Sequence, residues 1–134
     1  MAPRKRLNDA VGTLVEPAFS ELQWRCFREG IDLFNAGKYW YAHEAWEQVW
    51  LDMPDDESGD AEIILRGMIQ LAAAMHLLSI GRLEGATNNF RKAAEKLALA
   101  PPRLLGVDFV SLRDFAEREQ RELDGELICR IEAV

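Results

Sequence analysis

Cysteine is scarce in the chain, with only Cys26 and Cys129 present and no C-x-x-C pair. A disulfide-framed secreted scaffold is therefore excluded, and a reducing compartment is the natural setting. A signal-type apolar stretch is missing from the N-terminus. The most apolar run, Ile63 to Ile80, is interrupted by Arg66, Gln70 and His76 and reads as a buried helix, not a membrane span. The expectation is a cytoplasmic protein without a membrane partner. Basic residues are also in the minority, 16 Lys and Arg against 23 Asp and Glu for a net charge of −7. Such a surface repels phosphate backbones, so nucleic acid is not expected as a partner. The single basic cluster, Arg4, Lys5 and Arg6, reads as part of a solvated tail. The chain offers no Gly-rich phosphate loop, no cofactor fingerprint and no evident nucleophile. No segment of useful length alternates apolar and polar residues, so no strands are predicted.

What is present suits one conventional domain. The 134 residues, 49% hydrophobic and 29% charged, suffice to bury a core without metal or disulfide. Residues 1–17 lack periodicity and read as an N-terminal tail or arm, 18–125 as a single helical domain, and 126–134 as a C-terminal tail. Ser20-Glu21-Leu22-Gln23 has the form of a capping box and predicts a helix start at Ser20. Leu22, Cys26, Phe27, Ile31, Leu33 and Phe34 follow at helical spacing until Gly37. A second helix is predicted from Lys38 to Leu51, ended by Met53-Pro54 and the acidic loop Asp55 to Asp60. A third spans Ala61 to Ile80, apolar nearly all round and hence central. A fourth spans Leu83 to Leu99, stopped by Pro101-Pro102, and a fifth Ser111 to Leu123. The class is all-α, a compact bundle of about five helices.

An internal repeat at an offset of 44 gives the bundle its plan. Gly37, Lys38, Tyr39, Ala42 and Trp46 recur in kind as Gly81, Arg82, Leu83, Ala86 and Phe90. Each copy is a helix, a tight glycine turn and a second helix whose small alanine permits close approach before a large aromatic fills the gap. Two stacked helical hairpins plus a C-terminal helix are expected.

Polar residues among aromatics mark the candidate site. On the second helix Tyr39, Ala42, His43, Trp46, Val49 and Trp50 share one arc, with Glu47 one turn from His43, while Glu44 points to the solvent edge. On the third, Arg66 and Gln70 are one turn apart, and a buried guanidinium requires an anion. Glu47 is the expected partner, uniting His43, Glu47, Arg66 and Gln70 in one buried network. Helical geometry leaves His76 on a different side.

The string Gly30-x-x-Leu33-Phe34-Asn35-x-Gly37-x-Tyr39-x-x-Ala42-His43-Glu44-x-Trp46-Glu47-x-x-Trp50, with Arg66-Gly67-x-Ile69-Gln70-Leu71-Ala72-Ala73-Ala74-x-His76 and Gly85-Ala86, resembles domain of unknown function 309. The resemblance spans Trp24 to Leu112. It implies a compact helical bundle of prokaryotic type, with His43, Glu44, Trp46, Glu47, Gln70 and His76 as signature positions. It implies no reaction.

Three readings of the cluster His43, Glu44, Trp46, Glu47, Trp50, Arg66, Gln70 and His76 follow. His43 and Glu47 could ligate a divalent metal of the Zn, Mn or Fe kind, although His-Glu-Ala-Trp-Glu lacks the second histidine of the zincin string. Glu44 with Glu47, or His43 with Glu47, could relay protons without metal. The third reading, taken as the leading one, is a structural or interaction module whose polar cluster fixes helix pairing, with a homodimer or other protein as partner and any small ligand unspecified.

Overall fold

The computed structural model describes residues 19–53, 59–122 and 131, and over these the chain is an all-helical bundle. Its helices are α1 (Glu21–Asn35), α2 (Tyr39–Leu51), α3 (Gly59–Ser79), α4 (Leu83–Leu97) and α5 (Phe109–Glu122). Each packs on the next, α1 on α2, α2 on α3, α3 on α4 and α4 on α5. The segments read as the N-terminal arm, as the acidic loop from Asp55 to Ser58 and, Ile131 apart, as the C-terminal tail lie outside the described residues, as does Cys129.

Local chemistry sets the helix ends. Gln23 N donates to Ser20 Oγ at 3.1 Å and Ser20 N donates to Gln23 Oε1 at 2.9 Å, completing the capping box. Both hairpin turns have the same closure. Lys38 N donates to Leu33 O at 2.8 Å and Gly37 N to Phe34 O at 3.0 Å; Arg82 N donates to Leu77 O at 2.8 Å and Gly81 N to Leu78 O at 3.1 Å. These are Schellman closures, which need a left-handed residue after the helix, and Gly37 and Gly81 both stand at φ +80°. The repeat in the sequence is thus a repeat in the backbone.

Beyond each turn the alanine and the aromatic do what their sizes suggest. Ala42, Ala86, Trp46 and Phe90 are fully buried. Trp46 lies between Phe27 and Phe34, at ring-centroid separations of 6.4 and 5.9 Å, and its Nε1 donates to Phe27 O at 3.0 Å. The indole rests directly on Gly30, where a Cβ would stand 2.5 Å from Trp46 Cδ1. The close approach of α1 and α2 therefore depends on glycine at that position.

α3 is the central helix. By length and composition alone it could cross a membrane, but most of it is covered by the bundle, with Ile64, Leu65, Met68, Leu71 and Ala72 fully buried. Glycine again sets an approach, since a Cβ on Gly67 would meet Lys96 Cβ at 3.0 Å and the Leu97 side chain beyond it.

The expectation of no strands needs one correction. Arg103–Leu104 and Val107–Asp108 form a two-residue antiparallel ladder, β1 and β2, around Leu105-Gly106. Leu105 at φ 55° and Gly106 at φ 71° give the left-handed pair that a two-residue hairpin requires. A strand this short has no alternation to read. Its exit also moves the start of the last helix from Ser111 to Phe109, because Asp108 accepts from Val110 N at 3.0 Å through Oδ1 and from Ser111 Oγ at 3.3 Å through Oδ2. Ile131 is buried, and its backbone exchanges two hydrogen bonds with the Asn35 side chain, 3.0 Å at the carbonyl and 2.8 Å at the amide.

Candidate functional site

The candidate residues line the seam between α2 and α3. Two contacts fix the antiparallel register: Trp50 Nε1 donates to Glu62 Oε2 at one end, and the rings of Trp40 and His76 lie 5.2 Å apart at the other. His43 lies between those ends. This places His76 beside the α2 aromatics, which helical geometry alone did not predict.

The cluster is joined differently from the expected network. Arg66 Nε approaches Glu62 Oε2 at 3.6 Å, one turn away on its own helix, and Glu47 is not its anion. The pair is also only partly buried, the Arg66 side chain being 38% exposed. Glu62 accepts from Trp50 as well, so it ties the two helices together. The i,i+4 spacing of Glu62 and Arg66 was the available signal, outweighed by the expectation of a buried guanidinium.

Glu47 instead approaches His43, Oε2 to Nε2 at 3.8 Å, with its side chain 45% exposed. The imidazole lies nearly parallel to the indole of Trp40, 4.7 Å between centroids and 10° between planes. Its Nδ1 is buried without a hydrogen-bond partner among the described residues, and the same holds for Gln70 Oε1. Glu44 is exposed, as predicted, and turns away from the seam into a groove between α1 and α2 with Cys26, Glu29, Leu33, Tyr41 and Gln48. Trp46 belongs to the core.

His43 and Glu47 can share a proton or offer two ligands to a cation. Among the described residues no group of three or more His, Cys, Asp or Glu side chains could hold one metal ion. Zinc enzymes use three protein ligands and structural zinc four, so the donor set at the seam falls short of both.

Two residues outside the expected cluster define its outer end. Trp40 and Tyr41 are large aromatics left 45% and 60% exposed. With Gly37, Lys38, Tyr39 and His76 they line an open cavity of about 480 Å³ at the mouth of the first hairpin. The repeat was the signal that could have found them. At the equivalent positions of α4 stand Glu84 and Gly85, so the hairpin geometry itself does not call for aromatics there.

A small helical bundle with an aromatic and imidazole seam is the class that these features define. Residues 27–89, from the core of α1 into α4, match the model of domain of unknown function 309 (DUF309), an uncharacterised family. An uncharacterized protein of Aquifex aeolicus (strain VF5) is 27% identical over 84 residues, which cover 63% of this chain and 24% of the relative. The matched stretch thus makes up about a quarter of that longer protein.

Proposed function

We propose that this domain is a recognition module that receives its ligand or partner on the outer face of Trp40, at the mouth of the first hairpin. The observation that carries the reading is the Trp40 ring, 45% exposed yet held parallel to His43 at 4.7 Å and flanked by His76. A large aromatic ordered before binding loses little conformational freedom on contact, which is why such residues dominate recognition sites. Tyr41 beside it widens the apolar platform. The longer Aquifex relative supports the reading, since a domain carried as one quarter of a larger chain suits attachment and recognition.

The test separates a recognition residue from a core residue. Trp40→Ala should cost about 1–2 kcal/mol in urea unfolding, against about 3–5 kcal/mol for Trp46→Ala in the sealed core. A library of small ligands is then screened by thermal stabilisation on wild type and Trp40→Ala. Compounds that raise the melting temperature of wild type alone are the expected result. Equal stabilisation of both proteins, or a Trp40→Ala penalty as large as that of Trp46→Ala, would overturn the proposal.

A further inference from the structure

We infer that the cavity at the first hairpin selects a small planar aromatic group bearing a negative charge; the inference rests on Trp40 being a recognition platform. The argument is one of size and charge. A cavity of about 480 Å³ matches a small molecule. Its lining is Gly37, Lys38, Tyr39, Trp40, Tyr41 and His76, with one fixed positive charge, one imidazole and no carboxylate. That composition stands out in a chain of net charge −7. The adjoining groove between α1 and α2 carries Glu29, Glu44 and Glu47, and Lys38 and Tyr41 line both hollows, so Lys38 stands at the border between the acidic groove and the carboxylate-free cavity. The mouth of the hairpin is therefore a concavity without carboxylates on an acidic protein, and Lys38 makes no ion pair among the described residues.

Aromatic walls by themselves would also suit an alkylammonium group, held by the negative faces of the rings. Lys38 argues against it, because a second cation would enter beside its ammonium with no carboxylate in the lining to balance it. A planar anion satisfies both elements, its ring stacking on Trp40 and its charge meeting Lys38. The repeat provides an internal contrast. Arg82 at the second hairpin is followed by Leu83, Glu84 and Gly85, so a cation is present there without the indole and with a carboxylate beside it.

Three probes of one ring system test the inference: 2-naphthoate, its neutral methyl ester, and 2-naphthylmethylamine, titrated by calorimetry at pH 8 and low salt. Naphthoate should bind wild type about three- to fivefold more tightly than the ester, the range of one solvent-exposed charge pair. The amine should bind most weakly. Lys38→Gln, at an exposed position, should keep the wild-type melting temperature, bring naphthoate down to the affinity of the ester and leave the ester unchanged. Trp40→Ala should weaken both. Equal binding of naphthoate and ester to wild type, tighter binding of the amine, no response of naphthoate to Lys38→Gln, or no binding of any probe would each overturn the anion inference. Of these, results in which Trp40→Ala still weakens binding leave the platform standing. Unchanged affinities in Trp40→Ala would overturn the platform itself.

Discussion

Gly30→Ala sets helix propensity against packing. Gly30 lies inside α1, and on propensity alone alanine there stabilises the helix by about 1 kcal/mol. The structure predicts a loss. The new methyl would stand 2.5 Å from Trp46 Cδ1 and 2.7 Å from Cε2, and closer still to Nε1. The indole has nowhere to go, being fully buried between Phe27 and Phe34 with Nε1 bonded to Phe27 O at 3.0 Å. Either α1 and α2 move apart or the ring turns and gives up that bond. Overpacking costs roughly 1–3 kcal/mol, and an orphaned buried N–H about 1–3 kcal/mol more where the ring turns. After subtracting the propensity gain, a net loss of up to about 2 kcal/mol is expected where the helices part and of about 1–5 kcal/mol where the ring turns. Urea unfolding followed by far-ultraviolet circular dichroism measures it, and the double mutant with Trp46→Phe isolates the clash. With the smaller ring, the penalty of Gly30→Ala should fall by at least about 1 kcal/mol, as expected for residues in direct contact. A neutral or stabilising Gly30→Ala in the wild-type background would refute the argument.

Ala42→Leu and Ala86→Leu should each cost about 1–3 kcal/mol by overpacking, and a neutral result at either would place that alanine outside its helix contact. Gly37→Ala and Gly81→Ala meet no atom within 4 Å, so their penalty is conformational, about 1–2 kcal/mol each, and denaturation should find the two equal within about 0.5 kcal/mol. Glu62→Gln should destabilise by about 1 kcal/mol, discounted for the exposure of Arg66, whereas Glu47→Gln should stay within about 0.5 kcal/mol of wild type. The reverse order in thermal unfolding would reinstate Glu47 as the anion of Arg66.

Legibility in the sequence followed the range of the forces involved. The capping box at Ser20 and the glycine turns at Gly37 and Gly81 are interactions between residues at most five apart, and they could be read directly. Ala42 and Ala86 were legible because the repeat displayed the same packing twice. The β1–β2 hairpin was hidden because two residues per strand carry no period, and Leu105 is an unusual residue for a left-handed turn position. At the site, helical phase placed His43 and Glu47 together correctly. It did not supply the register between α2 and α3, which decides that His76 meets Trp40 and that Glu62 takes Trp50 and Arg66. Exposure was the other missing quantity. Trp46 shares the arc of Tyr39, Ala42 and Val49 while Trp40 lies off it, yet helical phase alone does not tell how far the Trp40 ring is left facing outward.

Because every helix packs on its immediate successor, most of the surface buried in this bundle is reached by closing short loops. The entropy of closure is then paid in small steps, and chains of this kind fold on the order of milliseconds or faster. Each glycine-turned hairpin closes over a short turn, so the contacts with the lowest closure entropy are those between neighbours along the chain. The hydrogen bonds between Asn35 and Ile131 are of a different kind, since they join residues 96 apart. Such a contact gains nothing until the intervening helices are in place. It therefore acts as a latch on the finished bundle, holding the native state against opening without guiding the search that leads to it.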